Sequence, residues 1–111
     1  MPPRYFPTSG HLLLCGHTSC RERGSQKLYA GLWERLEAEH LAYHKSGGRV
    51  RLTASGCLGT GEWGPTLCVY RERAGQLEQG WYRGVDLPAA LEIARAVQQE
   101  TELPAEGRYG P

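Results

Sequence analysis

The sequence predicts an α/β fold, and three observations carry that prediction. A short leucine-dominated run, His11-Leu12-Leu13-Leu14-Cys15, is followed by apolar residues at helical spacing. Three further β-rich runs come next, at Arg49–Thr53, Thr66–Tyr70 and Gln76–Arg83. A second helical stripe closes the ordered part of the chain.

The first run is apolar on both faces, as a central strand is. Gly16 to Gly24 reads as a polar loop, and Ser25 as the N-cap of a helix from about Gln26 to Glu39. Leu28, Tyr29, Leu32, Trp33 and Leu36 share one face of that helix. Arg49-Val50-Arg51-Leu52-Thr53 alternates polar and apolar, the pattern of a strand with one exposed face. Ala54 to Pro65 is a long glycine-rich loop, a kind of segment that often carries function. Ala74-Gly75 reads as the turn of a hairpin. Asp86 caps the last helix, with Pro88 tolerated in its first turn and Leu91, Ala94 and Val97 as its stripe. The order is therefore β-α-β-β-β-α. The first two strands, joined through a helix, are expected to be parallel with a right-handed crossover. The whole is expected to form a four-stranded mixed sheet with helices packed on it, a pared-down thioredoxin-like architecture.

At 111 residues the chain suits one domain. The expected divisions are a tail over 1–10, a domain over 11–100 and a tail over 101–111. With 13 Lys+Arg against 12 Asp+Glu the net charge is +1, which argues against a dedicated nucleic-acid binder. The longest purely apolar run, Leu12 to Cys15, is far below the roughly 18 residues of a spanning helix, so no membrane partner is expected. The stretch Met1–Pro7 lacks the apolar core of a secretory signal, and the expected location is the cytoplasm. There, four cysteines point to thiols, metal ligands or redox groups before disulfides.

Three of those cysteines are expected to converge. Cys15 ends the first strand, Cys20 precedes the first helix, and Cys57 lies in the loop after the second strand. In a parallel β-α-β unit the C-terminal ends of both strands open on one edge of the sheet, where ligands gather. A helix N-terminus near Ser25, together with Arg21 and Arg23, suits an anionic group there. The glycines of the second loop let backbone amides approach sulfur closely, which raises a cluster's potential.

These residues resemble the thioredoxin-like [2Fe–2S] ferredoxins, the Shethna type. The likeness spans about Leu12 to Val97 and rests on a strand ending in cysteine, Cys20-Arg21-Glu22-Arg23-Gly24-Ser25 leading into a helix, Gly56-Cys57, Gly64-Pro65, Val69-Tyr70, and Trp81-Tyr82 with Val85. The resemblance implies a cluster held by four cysteines, one-electron transfer between redox partner proteins, no enzymatic activity of its own, and frequently a homodimer. Three ligands carry over: Cys15, Cys20 and Cys57. The fourth does not, because the position four beyond Cys57 is Gly61. An imidazole can replace thiolate on such an iron, and His17 lies between Cys15 and Cys20, which makes it the leading substitute. Cys68 and Glu62 are the other candidates.

Two further readings stay open. Without its fourth cysteine, the fold can serve as a cluster-free protein-binding module, with Trp63 as a docking contact if exposed. A zinc site from His11, Cys15, His17 and Cys20 meets an obstacle, because His11 and Cys15 stand roughly 13 Å apart along an extended strand. Thioredoxin-type redox catalysis needs Cys-x-x-Cys, which the chain lacks. Cys68, among apolar neighbours, is most simply a buried thiol. Trp33 is expected in the core and Trp81 in cross-strand packing.

Overall fold

The computed structural model describes residues 8–16, 24–42, 48–56 and 64–109. Among these residues, five strands and two helices follow in the order β1 (Gly10–Cys15), α1 (Ser25–Ala38), β2 (Val50–Ser55), β3 (Leu67–Arg73), β4 (Gln76–Tyr82), α2 (Leu87–Gln99) and β5 (Arg108–Tyr109). The sheet order is β2-β1-β3-β4-β5. β1 and β2 are parallel, with Leu12 opposite Leu52 and Cys15 opposite Ser55. β1 and β3 are antiparallel, with Leu12 opposite Val69 and Leu14 opposite Leu67. β3 and β4 form an antiparallel hairpin turned at Ala74-Gly75.

The α/β class, the parallel β1–β2 pair across α1 and the terminal hairpin agree with expectation. Among the described residues the strand count is five rather than four. The short β5 lies in the stretch read as a tail and pairs Trp81 with Tyr109 and Tyr82 with Arg108. Leu103 is buried in the core cluster, and Tyr82 Oη donates to the Pro104 carbonyl at 2.7 Å. A Cβ on Gly80 would come within 3.1 Å of both Leu103 Cδ1 and Val69 Cγ1, so glycine at this point of β4 leaves the room that Leu103 fills.

One core lies between one sheet face and the two helices. Leu12, Leu14, Val50, Leu52, Leu67, Val69 and Tyr82 supply the sheet side. Leu28, Leu32 and Leu36 of α1, and Ala90, Leu91, Ile93, Ala94 and Val97 of α2, supply the helix side. These spacings are those of one helical stripe each. Trp33 packs on the margin of this core, half-buried, edge-to-face with Tyr29 at 6.4 Å between ring centroids. The helices are also clamped to each other by charge: Arg95 Nε and Nη2 donate to the two carboxylate oxygens of Glu39 at 2.9 Å each, and Arg35 joins at 3.1 Å.

The helix starts differ. Asp86 caps α2 as expected, its carboxylate accepting the Ala89 N–H at 3.0 Å with Pro88 in the first turn. Ser25 is not the cap of α1. Gly24 is, in the left-handed conformation at φ 94°, with no side-chain cap hydrogen bond. Only glycine takes that conformation at little cost, and it starts the helix one residue earlier, placing Ser25 inside the first turn.

Candidate metal centre

The parallel pairing brings the ends of β1 and β2 to one rim of the sheet, as the β-α-β reading requires. Antiparallel β3 starts at the same rim. Cys15 N–H donates to the Thr66 carbonyl at 3.0 Å and Gly16 N–H to the Ser55 carbonyl at 2.8 Å. The chain at Cys15 is thus bonded to neighbours on both sides. Ser55 Oγ donates to the Gly56 carbonyl at 3.0 Å, just past the end of β2, within the stretch expected as the glycine-rich loop. Gly64-Pro65, the expected end of that loop, is a cis peptide, and Val85 N–H donates to the Pro65 carbonyl at 3.0 Å.

Between this rim and the start of α1 lies a cavity of about 210 Å³, lined by Leu14, Cys15, Gly16, Ser25, Gln26, Tyr29 and Ala54. Cys15 is buried. Ser25 is 2 % exposed, and its Oγ is buried without a hydrogen-bond partner. The first intrahelical bond of α1 is donated by Leu28 to the Gly24 carbonyl at 3.0 Å, so the N–H groups of Ser25, Gln26 and Lys27 precede the ladder. A soft thiol donor, an orphaned hydroxyl and the positive end of a helix dipole fit a group that presents anionic sulfur, such as a thiolate-bound iron–sulfur cluster.

The other expected residues of the centre, His17, Cys20, Arg21, Arg23, Cys57 and Glu62, lie outside the described residues, as do Trp63, Gly59 and Gly61. The described residues that flank them are Gly16 and Gly24 for one segment, and Gly56, which directly precedes Cys57, and Gly64 for the other. Among the described residues, no three His, Cys, Asp or Glu side chains form a metal-holding group.

Neither Cys15 nor Cys68 is in a disulfide, and neither belongs to the helix-side core. Cys68 is buried, as expected of a packed thiol, but on the opposite sheet face, in a row with Leu13 and Trp81. Burial pushes its thiol up, opposed by a hydrogen bond with Tyr70. Trp81 packs in this cross-strand row, half-buried, and its Nε1 donates to Gln79 Oε1 at 3.0 Å. His11 sits at the far end of β1 from Cys15, its Nε2 2.8 Å from Thr53 Oγ1. Burial first and Arg51 second hold its imidazole below the usual range. That placement gives the zinc reading no support. Sequence pattern places Ser25 as a cap, whereas it lies inside the first turn and lines the same cavity as Cys15, a placement with no local signal beyond following Gly24.

The chain matches no protein-family model and no curated protein. It is similar to solved structures of a thioredoxin-like [2Fe–2S] ferredoxin from Aquifex aeolicus. The wild-type structure at 1.5 Å resolution superposes with a TM-score of 0.71 at 20% identity, covering 94% of this chain and 99% of that one. A second structure of the same protein gives 0.64 at 20% identity, over 94% and 96%. A cysteine-to-serine variant of it gives 0.69 at 20% identity, over 92% and 99%. At that identity the likeness shows the fold: this chain has the thioredoxin-like architecture, over nearly its whole length.

Proposed function

We propose that this protein is a one-electron carrier and a divergent member of the thioredoxin-like [2Fe–2S] ferredoxin family. Cys15, Cys20 and Cys57 are its thiolate ligands, and His17 takes the fourth position. One observation supports the reading above the others: Cys15 ends a central strand at the sheet rim, beside a cavity that also receives the start of α1. The bound cluster would supply a site that accepts and gives up one electron. With four thiolates its oxidised charge is about −2, and with one imidazole in their place about −1.

The chain's own residues do the rest. Cys15 is held by main-chain bonds to β2 and β3, so its sulfur need not be positioned by the metal. The N-terminus of α1, Arg21 and Arg23 offset negative charge, which favours the reduced form. The partners are redox proteins reached in the cytoplasm, and the carrier acts as a homodimer without a substrate of its own.

Anaerobic reconstitution with iron and sulfide tests this reading. The expected result is a coloured protein with visible charge-transfer bands and about two irons and two sulfides per chain. Protein that stays colourless overturns it and favours the rival, a binding module of the same fold, which the glycine at position 61 would suit.

A further inference from the structure

We propose that the Ser25 hydroxyl donates a hydrogen bond to an inorganic sulfide of the cluster at this centre and thereby raises the reduction potential. The inference rests on the cluster reading and adds a positioning residue to it. Three observations meet at Ser25. The side chain is almost completely buried, and its Oγ has no partner. It caps nothing, because the N-cap is Gly24 and no side-chain cap bond forms. It borders the cavity that Cys15 also lines.

An unpaired buried hydroxyl costs free energy that alanine at the same helical position would avoid. A fold-stabilising role therefore does not account for serine here. Leu14, Tyr29 and Ala54 also line this cavity, whose walls are mostly apolar, so the expected acceptor is soft and anionic rather than a strongly hydrated oxyanion. Sulfur bonded to iron meets that description, and hydrogen bonds to such sulfur stabilise the more negative, reduced state.

The test compares wild type, Ser25→Ala and Ser25→Thr, each metal-free and after anaerobic reconstitution with iron and sulfide. Metal-free Ser25→Ala should melt at the same temperature as wild type or higher. In the reconstituted protein Ser25→Ala should shift the one-electron equilibrium about tenfold toward the oxidised form, about 59 mV to lower potential. Ser25→Thr, which keeps the hydroxyl, should recover most of the shift. A lower melting temperature for metal-free Ser25→Ala overturns the inference by showing that the hydroxyl serves the fold. Equal potentials in reconstituted wild type and Ser25→Ala overturn it while leaving the carrier reading intact. Wild type that builds no cluster overturns both.

Discussion

Cys68 stands one diagonal step from Cys15 across the β1–β3 ladder. Leu13 lies directly opposite Cys68, and the Cys15 N–H bonds to the Thr66 carbonyl two residues before it. Side chains alternate along strands, so register puts both cysteines on the same face, with Cα atoms about 7–8 Å apart. In the proposed centre this proximity would make Cys68 a competitor of His17 for the fourth ligand position, but Cys68 is already packed and hydrogen-bonded with Tyr70. The expected outcome is a clean division of roles. Cys68→Ser should leave the visible spectrum of the reconstituted protein unchanged and lower stability by about 1–2 kcal/mol, since it buries a more polar group. His17→Ala should alter the spectrum. Absorbance and urea unfolding of the two variants check both statements, and a spectrum that changes in Cys68→Ser alone reverses the assignment.

Glu39 gives acid sensitivity to the helix layer. Its hydrogen bond with Arg95, helped by Arg35, holds the carboxyl below its usual range. Folding therefore favours the ionised carboxylate. The stability it contributes is complete above the ordinary glutamate range and is lost as pH falls through the lowered native value. Glu39→Gln should flatten that part of the acid unfolding profile and leave the profile near neutrality parallel to wild type. Thermal melts across the acid range read the difference.

His11 acts in the same direction at a higher pH. Burial and Arg51 favour its neutral form in the fold. As pH drops below about 6.5 the unfolded chain takes up the proton first. Its contribution is thus complete above that value, declines as pH falls, and is gone below the lowered native pKa. His11→Gln should remove this component, so the wild-type advantage over the variant should shrink from pH 7.5 to pH 5. Urea midpoints at those two pH values measure it.

The C-terminal stretch should prove essential to stability. Leu103 fills the space above Gly80, and the Tyr82 hydroxyl bonds to the Pro104 carbonyl at 2.7 Å. Leu103→Ala should cost about 2–3 kcal/mol by loss of buried contacts. Tyr82→Phe should cost about 1 kcal/mol, the net worth of one hydrogen bond. Both should appear as lower urea midpoints at an unchanged slope.

These two anchors also show why part of the fold escaped sequence reading. Asp86 was legible because a cap bonds three residues away, and the crossover between β1 and β2 was legible because a connecting helix forces parallel pairing. Arg108-Tyr109 carries no strand pattern in two residues, and its pairing with Trp81-Tyr82 follows a chain anchored by the buried Leu103, an isolated leucine in a polar run. The place of Ser25 is hidden from sequence because it depends on the φ of Gly24, which a glycine does not announce. At the candidate centre, Cys15 was legible as the end of a central strand. The unpartnered state of the Ser25 hydroxyl was not, since it follows from what the packed helix and sheet leave around it.

Cys15 is stitched by its own main chain and that of Gly16 to two neighbouring strands. Those bonds owe nothing to a metal ion. In small domains whose ligands sit only on loops, removing the metal melts the chain. In the proposed carrier one attachment point would be part of the sheet itself, so the metal-free chain should keep its β1–β2–β3 register and take up iron and sulfide without passing through an unfolded state.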